Sequence, residues 1–505
     1  MKIINQITRP LVLTLLALTS FTASTLAQEV QIPDPGLNAA IREALEKPNG
    51  PLTEQDLLGL INLDAFSRDV SSVEGLEAAR NLERLFLDFN RLTHFSLLGT
   101  LTNLIELNLS FNPLTNCSLP SGLANLSTLN IEFCSLTELT LPAGLTRLTE
   151  LDLGVNGLTS FAVPADATNL AILSLFANQL TNLTLLPGLT RLSSIDLDEN
   201  RLTHFTLPPD LPGLDSLFLR DNQLSDFILP AGLSRLSFLA LDGNQLTRFT
   251  FPAGLTNLSS VGLTGNQLTI LSLPPDMLQL DSLFVDGNPL TTLVLSEEMA
   301  AMKLAAEVAA LRAQGVTVST FSQAVEVSVP DPELNDAIRQ TLQKPVGPLT
   351  EQDMLSLTAL SACCRNVTSL QGLEAARNLT GLSLDHNLLT EFSIADGMTN
   401  LLRLDLSFNS LTNVSLPNGL TTLATLLIQG NQLTSLTLPD NLTALVRLDL
   451  DANRLTALTL PPDLRSLVSL NVAENQLTSL ALPAGMTNLA GLFLFSNQLN
   501  RILPT

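Results

Sequence analysis

The chain has 505 residues, a net charge of −23 and a hydrophobic content of 45%. The negative charge argues against a nucleic-acid partner or an anionic membrane surface, and the apolar content argues against a disordered acidic protein. Trp and Tyr are absent, and 3 His and 4 Cys are too few for rich metal or acid–base chemistry. The composition therefore predicts a large packed core with no cofactor and no metal.

The first 27 residues have the pattern of a secretory signal peptide. Lys2 and Arg9 precede an apolar run from Leu11 to Leu18, and small and polar residues end at Ala27. The run is well short of the roughly 20 residues that span a bilayer, which disfavours the alternative of a membrane anchor. We predict cleavage after Ala27 and a mature protein that is secreted, or kept at the cell surface or in the periplasm, without membrane insertion.

Residues 28–81 carry the pattern of a helical cap. Asp34 followed by Pro35 is typical of an N-cap and a first helical position. Thr53 with Asp56 three residues later predicts a capping box that opens a second helix. Two short helices here would cover the exposed edge of a following sheet.

From Leu82 the chain repeats every 22 residues with the pattern L-x-x-L-x-L-x-x-N-x-L-T-x-[LF]-x-L-P-x-G-L-x-x, which is cleanest from Leu236 to Asn257. Ten repeats, which we call the first series, occupy 82–295, and six more, the second series, occupy 379–505. The marker asparagines are Asn90, Asn112, Asn156, Asn178, Asn200, Asn222, Asn244, Asn266, Asn288, Asn387, Asn409, Asn431, Asn453, Asn475 and Asn497, with Cys134 in the missing position.

This pattern resembles the leucine-rich repeat family, whose signature is L-x-x-L-x-L-x-x-N/C-x-L. The resemblance implies an α/β-type repeat solenoid with a parallel sheet on its concave face and short helical caps. Leu239 and Leu241 alternate inward on a short strand, as the signature requires. The asparagine that follows turns the chain, and its amide can bond backbone groups of neighbouring turns, which predicts a structural ladder.

The cap and the repeats occur twice, at a constant offset of 387 − 90 = 297 residues. Between the copies, Ser296 opens a helical pattern with Met299, Leu304, Val308 and Leu311, which ends at Gly315. We therefore predict two tandem solenoid units. The expected segments are the signal peptide 1–27, a cap 28–81, the first series 82–295, a cap helix, strand and linker 296–325, a second cap 326–378 and the second series 379–505. The second series reaches Thr505 without a cap pattern, so either the product is truncated or this edge meets another molecule.

The variable positions beside the inward leucines define the candidate binding surface of the first series. Four phenylalanines there are the best anchor candidates, although they could instead stack on one another across strands. The carboxylates indicate a basic partner or, less well, a calcium site, for which no calcium-loop spacing exists; simple solvation explains them equally. The predicted ligand-binding residues are Phe86, Asp88, Asp152, Phe176, Asp196, Asp198, Phe218, Arg220, Asp242, Phe284 and Asp286. The matching positions of the second series hold Asp385, Asp405, Asp449, Asp451, Phe493 and Phe495, which would engage the same partner only partly.

The histidines and cysteines do not form a catalytic pattern. His94, His204 and His386 have no Ser or Cys nucleophile at a recognisable spacing, so we predict that the protein is not an enzyme. Cys117 and Cys134 fall at packing positions and are expected to be buried. Cys363-Cys364 replaces Phe66-Ser67 of the first copy; no bridge framework is evident, although an exported protein can form an occasional disulfide.

The helical cap followed by 22-residue repeats also resembles internalin-type secreted bacterial proteins. That resemblance implies an exported scaffold for protein–protein recognition through the concave face, with an unknown protein as partner. The L-T-L-P segment departs from the usual internalin repeat, and neither an immunoglobulin-like domain nor a wall anchor follows, so host-cell adhesion is not predicted. The alternative is a structural envelope or matrix component that self-associates and has no discrete ligand.

Overall fold

The computed structural model describes residues 29–97, 99–322 and 325–504, so the predicted signal peptide lies outside the described residues. They form two compact units. The N-terminal unit comprises the described residues up to Ser135 together with Pro142–Leu145. The C-terminal unit comprises Leu136–Leu141 and the described residues from Thr146 onward.

The N-terminal unit begins with the predicted helical cap. Asp34 caps the first helix by accepting from the backbone N–H of Leu37 at 3.0 Å. Thr53 and Asp56 form a capping box at the second helix, which confirms that prediction. The elements are α1 (Pro35–Ala44), α2 (Glu54–Leu57), β1 (Asn62–Asp64), a 3-10 helix (Leu76–Ala78), β2 (Arg84–Phe86), β3 (His94–Ser96), β4 (Glu106–Asn108), β5 (Asn116–Ser118) and β6 (Thr128–Asn130).

Strands β1, β2, β4 and β6 pair in parallel, in that order, and β3 pairs with β5 on the other side of the turns. Each central strand residue faces inward; Leu85 and Leu107, for example, are fully buried. Equivalent residues 22 apart lie side by side, as Phe86 does with Asn108. The period of the sequence therefore equals one turn of the solenoid, and each turn buries its leucines against its neighbours.

The C-terminal unit continues the same pattern. A sheet of parallel strands runs in the order β7–β8–β9–β10–β11–β12–β14, and β13, β15 and β16 form a separate three-stranded sheet. The strands are β7 (Glu150–Asp152), β8 (Ile172–Ser174), β9 (Ser194–Asp196), β10 (Ser216–Phe218), β11 (Phe238–Ala240), β12 (Ser260–Gly262), β13 (Ile270–Ser272), β14 (Ser282–Phe284), β15 (Thr292–Ser296) and β16 (Thr317–Phe321).

The helix expected from Ser296 to Gly315 is two helices, α3 (Glu297–Ala301) and α4 (Ala305–Ala313). Ser296 caps α3 by accepting from the N–H of Met299. Five residues separate Met299 from Leu304, and a continuous helix would place them on different faces. The break between the helices lets both side chains be buried, while Met302 at the break is exposed.

A second helical cap and the second series complete the C-terminal unit. Strands β17–β18–β20–β22–β23–β24–β26 form a parallel sheet in that order, and β19 with β21 and β25 with β27 form two further pairs. The elements are α5 (Pro332–Leu342), α6 (Glu351–Leu355), β17 (Ala359–Ser361), a 3-10 helix (Leu373–Ala375), β18 (Gly381–Ser383), β19 (Glu391–Ser393), β20 (Arg403–Asp405), β21 (Asn413–Ser415), β22 (Thr425–Leu427), β23 (Arg447–Asp449), β24 (Ser469–Asn471), β25 (Ser479–Leu482), β26 (Gly491–Phe493) and β27 (Arg501–Pro504).

The second cap packs against the end of the first series. The side chains of Val294 on β15, Phe321 on β16 and Leu355 on α6 form a small buried cluster. Beside it, the hydroxyl of Ser319 donates to the Asn378 amide oxygen at 2.9 Å. These contacts fix the second cap on the strand edge that β16 leaves open.

The marker asparagines bond the backbone of adjacent turns. The Asn222 amide nitrogen donates to the carbonyls of Leu197 at 2.9 Å and Leu219 at 3.3 Å, and its oxygen accepts from the N–H of Leu202 at 3.0 Å. The thiol of Cys134 stands in this row and donates to the carbonyl of Leu109 at 3.6 Å. Because these carbonyls and amides are buried, the ladder satisfies groups that no strand pairing reaches.

The structure confirms the predicted parallel repeat solenoid with few helices. In residues 29–97, 99–322 and 325–504, no helix is both long and apolar enough to cross a membrane.

Candidate functional site

The four predicted anchor phenylalanines lie on turns that are not neighbours, so they do not stack on one another. Phe86 is half-buried in register between Asp64 and Asn108. The ring of Phe176 lies over Gly154, where an added Cβ would meet its Cε1 at 2.3 Å. Phe284 is the most exposed of the four, at 54%. Local packing thus accounts for part of the surface of Phe176, while Phe284 stays open.

Phe218 belongs to a compact cluster around Arg220. Its ring centroid lies 5.1 Å from that of Phe238, and the Arg220 guanidinium carbon lies 5.7 Å and 5.5 Å from the two centroids. Arg220 also pairs with Asp198 at 3.5 Å and with Asp242 at 3.4 Å. The predicted residues at this point therefore contact one another, with one cation shared between two carboxylates and two rings.

Burial changes the acidity of the carboxylates on this face. It raises the pKa of Asp198 to about 6, against the lowering effect of a hydrogen bond from the Arg220 N–H, and the charge of Asp196 raises it further. The pKa of Asp196 is also raised, mainly by burial. In the N-terminal unit, burial and the charge of Asp64 raise the pKa of Asp88. Asp198 consequently gains a proton in mildly acidic solution.

The remaining predicted carboxylates differ in accessibility. Asp152 accepts from the Gly154 N–H at 3.0 Å and is half-buried, while Asp286 is exposed. In the second series, Asp405 and Asp449 are buried in ion pairs with Arg403 at 2.9 Å and Arg447 at 3.0 Å. Asp451 is half-buried, with its pKa raised mainly by burial. Phe493 and Phe495 are both exposed.

The sequence analysis missed a row of exposed aromatic rings in the N-terminal unit, which we call the phenylalanine ladder: Phe66, Phe89, Phe111 and Phe133. The rings of Phe89 and Phe111 stack with centroids 4.1 Å apart, and those of Phe111 and Phe133 at 4.4 Å. Phe66 meets Phe89 edge-on at 5.4 Å. The four side chains are between 36% and 51% exposed. The signal was present, because Phe directly precedes the marker residue in three successive repeats.

The ladder follows the strands instead of lying on them. Phe89, Phe111 and Phe133 adopt left-handed backbone conformations with φ of 56°, 55° and 50°. Phe66 also lines a groove of about 590 Å³ between α1 and β1, together with Ile61, Asp64 and other residues of these elements. The rings and the groove thus form one continuous exposed region beside Phe86 and Asp88.

The histidines and cysteines occupy varied environments. His94 Nδ1 lies 3.0 Å from the Thr93 hydroxyl, and His204 Nδ1 lies 3.0 Å from Asp226 Oδ1. Cys117 and Cys134 were expected to be buried; both are free thiols and only partly buried. Burial raises the pKa of the Cys117 thiol to about 12.

Cys363 and Cys364 form a disulfide, which the sequence allowed but did not predict. Together with Asp385 and His386 they place four groups of metal-ligand type within 4.8 Å of one another. The composition predicted no metal site because His and Cys are few. Counting residues does not show which of them the fold brings together, so this cluster was not foreseen.

The fold and the asparagine ladder define a leucine-rich repeat protein. The family model for the BspA-type leucine-rich repeat region matches six copies, over residues 60–152, 153–269 and 365–500. The chain belongs to this family, and the predicted leucine-rich repeat assignment is confirmed. No curated protein sequence matches the chain.

The chain is also similar to several solved structures. The functional domain of InlJ from Listeria monocytogenes is 19% identical, with a TM-score of 0.45 over 90% of this chain and 83% of that one. Internalin C2 from Listeria monocytogenes is 33% identical, with a TM-score of 0.36 over 46% of this chain and 94% of that one. The plant peptide hormone receptor RGFR1, solved in complex with RGF2, is 22% identical, with a TM-score of 0.39 over 88% and 79%.

Proposed function

We propose that the protein is an exported leucine-rich repeat scaffold that recognises a protein partner through the outer, concave face of its sheet, with the phenylalanine ladder as the principal contact. The observation that carries this proposal is the continuity of the ladder: four exposed rings touch in sequence and lie beside Phe86 and Asp88. Solenoids of this family commonly use an extended sheet surface for protein recognition. Contiguous exposed aromatic groups are typical of such contact surfaces.

Folding does not require aromatic residues in the ladder. Other turns place Ser67, Val155, Ala177 and Glu199 at the position of Phe89, with φ between 49° and 55°. These turns keep the same backbone without a ring. Binding therefore accounts for the rings better than solenoid stability does.

The partner that fits this region has an apolar centre and a basic rim. Asp64 ends β1 and Asp88 follows the neighbouring strand β2, both beside the ladder, and the whole chain carries a net charge of −23. Rim charges of this kind mainly speed association and select partners, while the apolar centre supplies affinity. If charges and rings have these separate roles, high salt should weaken binding, and replacing the rings should weaken it by the same factor at low and at high salt.

The test uses the mature chain as bait for envelope and culture proteins. The variant Phe89→Ser, Phe111→Ser, Phe133→Ser removes three rings and introduces the residue that Ser67 shows to be compatible with the turn. The matched control is Val155→Ser, Ala177→Ser, Glu199→Ser. We expect the wild type and the control to retain the same partner and the ladder variant to lose it. Retention of that partner by the ladder variant would contradict the proposal.

A second bait separates the ladder from the surface first chosen from the sequence. It carries alanine at Phe86, Phe176, Phe218 and Phe284. If recognition spreads along the whole face, this variant also loses the partner. Loss from the ladder variant alone restricts recognition to the N-terminal unit.

The alternative is a structural envelope component that self-associates. Exposed Phe493 and Phe495 favour it, because Phe493 stands on β26, the outer strand of its sheet. This alternative predicts that the mature chain forms larger species as its concentration rises. Sedimentation velocity of the wild type and of Phe493→Ser, Phe495→Ser tests it: a monomer at all concentrations rules it out.

A further inference from the structure

We propose that Cys363, Cys364, Asp385 and His386 form a redox-controlled site for one thiophilic divalent cation, for which Zn²⁺ is the probe. The disulfide form cannot use its sulfurs as thiolate ligands. The reduced form offers two thiolates, one imidazole and one carboxylate, which is the number and type of ligands that Zn²⁺ takes in tetrahedral sites. This inference is independent of the proposed recognition function.

The backbone holds the two halves of the site side by side. Cys363 and Asp385 are 22 residues apart, as are Cys364 and His386, so the pairs occupy equivalent places on adjacent turns. The N–H of Cys364 donates to the carbonyl of Asp385 at 3.1 Å. Marker Asn387 locks both segments, since its amide nitrogen donates to the carbonyls of Ala362 at 2.8 Å and Asp385 at 3.3 Å. The donor atoms are therefore brought together by the solenoid itself.

The side chains are already close to a coordinating arrangement. Their ligand atoms all lie within 4.8 Å of one another, and tetrahedral Zn²⁺ needs separations of about 3.3 to 3.8 Å between nitrogen, oxygen and sulfur ligands. His386 Nδ1 lies 3.1 Å from Asp385 Oδ2, and the ring stacks on Phe408 with centroids 4.6 Å apart. After reduction, side-chain rotations have to separate the two sulfurs and bring all four ligand atoms to these distances.

Access to the site is open, and nearby positive charge is neutralised. Cys364 and His386 are exposed, while Cys363 and Asp385 are half-buried. The neighbouring cation, Arg365, is paired with Asp336 at 2.7 Å on helix α5 and does not contact the four donors. A cation and a thiol reagent can both reach the sulfurs.

The first copy of the cap provides a comparison within the same chain. At the equivalent places it has Phe66, Ser67, Asp88 and Phe89, with the same backbone bond from the Ser67 N–H to the Asp88 carbonyl at 3.1 Å. There the two phenylalanines pack edge-on and begin the ladder. The second copy keeps the aspartate and replaces the other three residues with cysteine, cysteine and histidine. All three replacements introduce metal ligands at touching positions, which packing alone does not explain.

The redox step balances with a dithiol as the reductant. The dithiol reduces the Cys363–Cys364 bond with two electrons and two protons, and is itself converted to a disulfide. Zn²⁺ then displaces the two thiol protons and binds both sulfurs. A disulfide oxidant reverses the step by thiol–disulfide exchange. It takes two electrons from the two thiolates and two protons from water and becomes a dithiol, while the Cys363–Cys364 bond re-forms, both metal–sulfur bonds break and the cation is released.

The experiment measures Zn²⁺ binding by the full mature chain in competition with a chromogenic chelator. The reduced chain is expected to bind one Zn²⁺ and the oxidised chain none. The variant Cys363→Phe, Cys364→Ser, His386→Phe restores the residues of the first copy, so it retains the fold, and it is expected to lose the site. The single variant His386→Phe should bind Zn²⁺ at least tenfold more weakly than the wild type. Loss of a residue that only hydrogen-bonds to a metal ligand already lowers metal affinity about 10- to 100-fold, and loss of the ligand itself should cost more.

Alkylation of individual cysteines, followed by mass spectrometry, gives a second measurement. Zn²⁺ is expected to slow alkylation of Cys363 and Cys364 in the reduced chain and to leave Cys117 and Cys134 unaffected. The proposal is overturned if the reduced wild type binds no Zn²⁺, if the oxidised chain binds it equally, or if the triple variant keeps the stoichiometry of the wild type.

Discussion

In each turn, the residue that directly precedes the marker asparagine lies just after the end of a strand. The inward leucines and the marker asparagines are nearly the same in every turn, because each turn needs them to fold. The residue before the marker varies from Phe111 to Ala177 to Asp221 while φ stays between 51° and 55°. A left-handed conformation is uncommon for non-glycine residues, so the neighbouring turns must impose it. The side chain at this position can therefore vary without a change of backbone conformation, as the proposed recognition role requires.

Asp198 gives a pH dependence at the scale of one residue. Its folded pKa of about 6 lies above the unfolded value of about 3.8, so the folded chain holds the proton more tightly. The contribution of Asp198 to stability is fully present below the unfolded pKa and is lost as pH rises through the folded pKa. We expect Asp198→Asn to remove this part of the decline between about pH 4 and pH 6.

Urea unfolding at several pH values measures the effect. The midpoint of the wild type should fall more steeply across this interval than that of Asp198→Asn. Asp286→Asn is the control, because Asp286 lies exposed on the same face. Parallel curves for the wild type and Asp198→Asn would show that the raised pKa is not coupled to folding.

At the scale of one turn, the asparagine ladder sets local stability. Replacing Asn222 with alanine leaves the carbonyls of Leu197 and Leu219 and the N–H of Leu202 without their partner. We expect a loss of about 3 kcal/mol, since each buried polar group left without a partner costs about 1 to 3 kcal/mol. Asn222→Cys should cost less, because Cys134 shows that a thiol can donate from this position. Denaturant unfolding compares the two; equal losses would contradict the role of the thiol.

The repeated elements could be predicted from the sequence because their cause is local. Leu217 and Asn222 recur every 22 residues, and the period alone places them inside a turn. The break between α3 and α4 could not be predicted in this way, because it depends on the burial of both Met299 and Leu304 and not on the repeat period. The prediction of one helix there was wrong.

The candidate site was harder to predict, because it depends on neighbouring turns. Outward positions on the strands, such as Phe284, could be predicted because inward and outward side chains alternate along a strand. The turn position of Phe111 was overlooked, although aligning the repeats places it between Phe89 and Phe133. The approach of Cys364 to His386 follows from the same alignment, since residues 22 apart lie side by side.

For the molecule as a whole, we expect the packing of the second cap on the first series to govern cooperative unfolding of the C-terminal unit. Phe321 is 1% exposed between β15 and α6, against Val294 and Leu355. We expect Phe321→Ala to destabilise this unit by about 3 kcal/mol, as for other buried phenylalanines. It should also separate unfolding of the second series from that of the preceding repeats.

Hydrogen exchange followed by mass spectrometry can distinguish these outcomes. In Phe321→Ala, amides of strands β17 to β26 are expected to exchange at a different rate from those of β7 to β14. Met302→Ala is a control, because Met302 is exposed. If Phe321→Ala unfolds in one step with unchanged stability, the cluster does not couple the two series.

The most direct test of the recognition account is photocrosslinking from the ladder in the producing cells. A benzophenone-bearing phenylalanine analogue replaces Phe111 in one variant and Ala177 in another. Ala177 is the equivalent position three repeats further along the chain, in the unit without the ladder. The account predicts a crosslink from position 111 to a distinct protein and none of that product from position 177. The same product from both positions, or crosslinks from position 111 only to further copies of this chain, would contradict it.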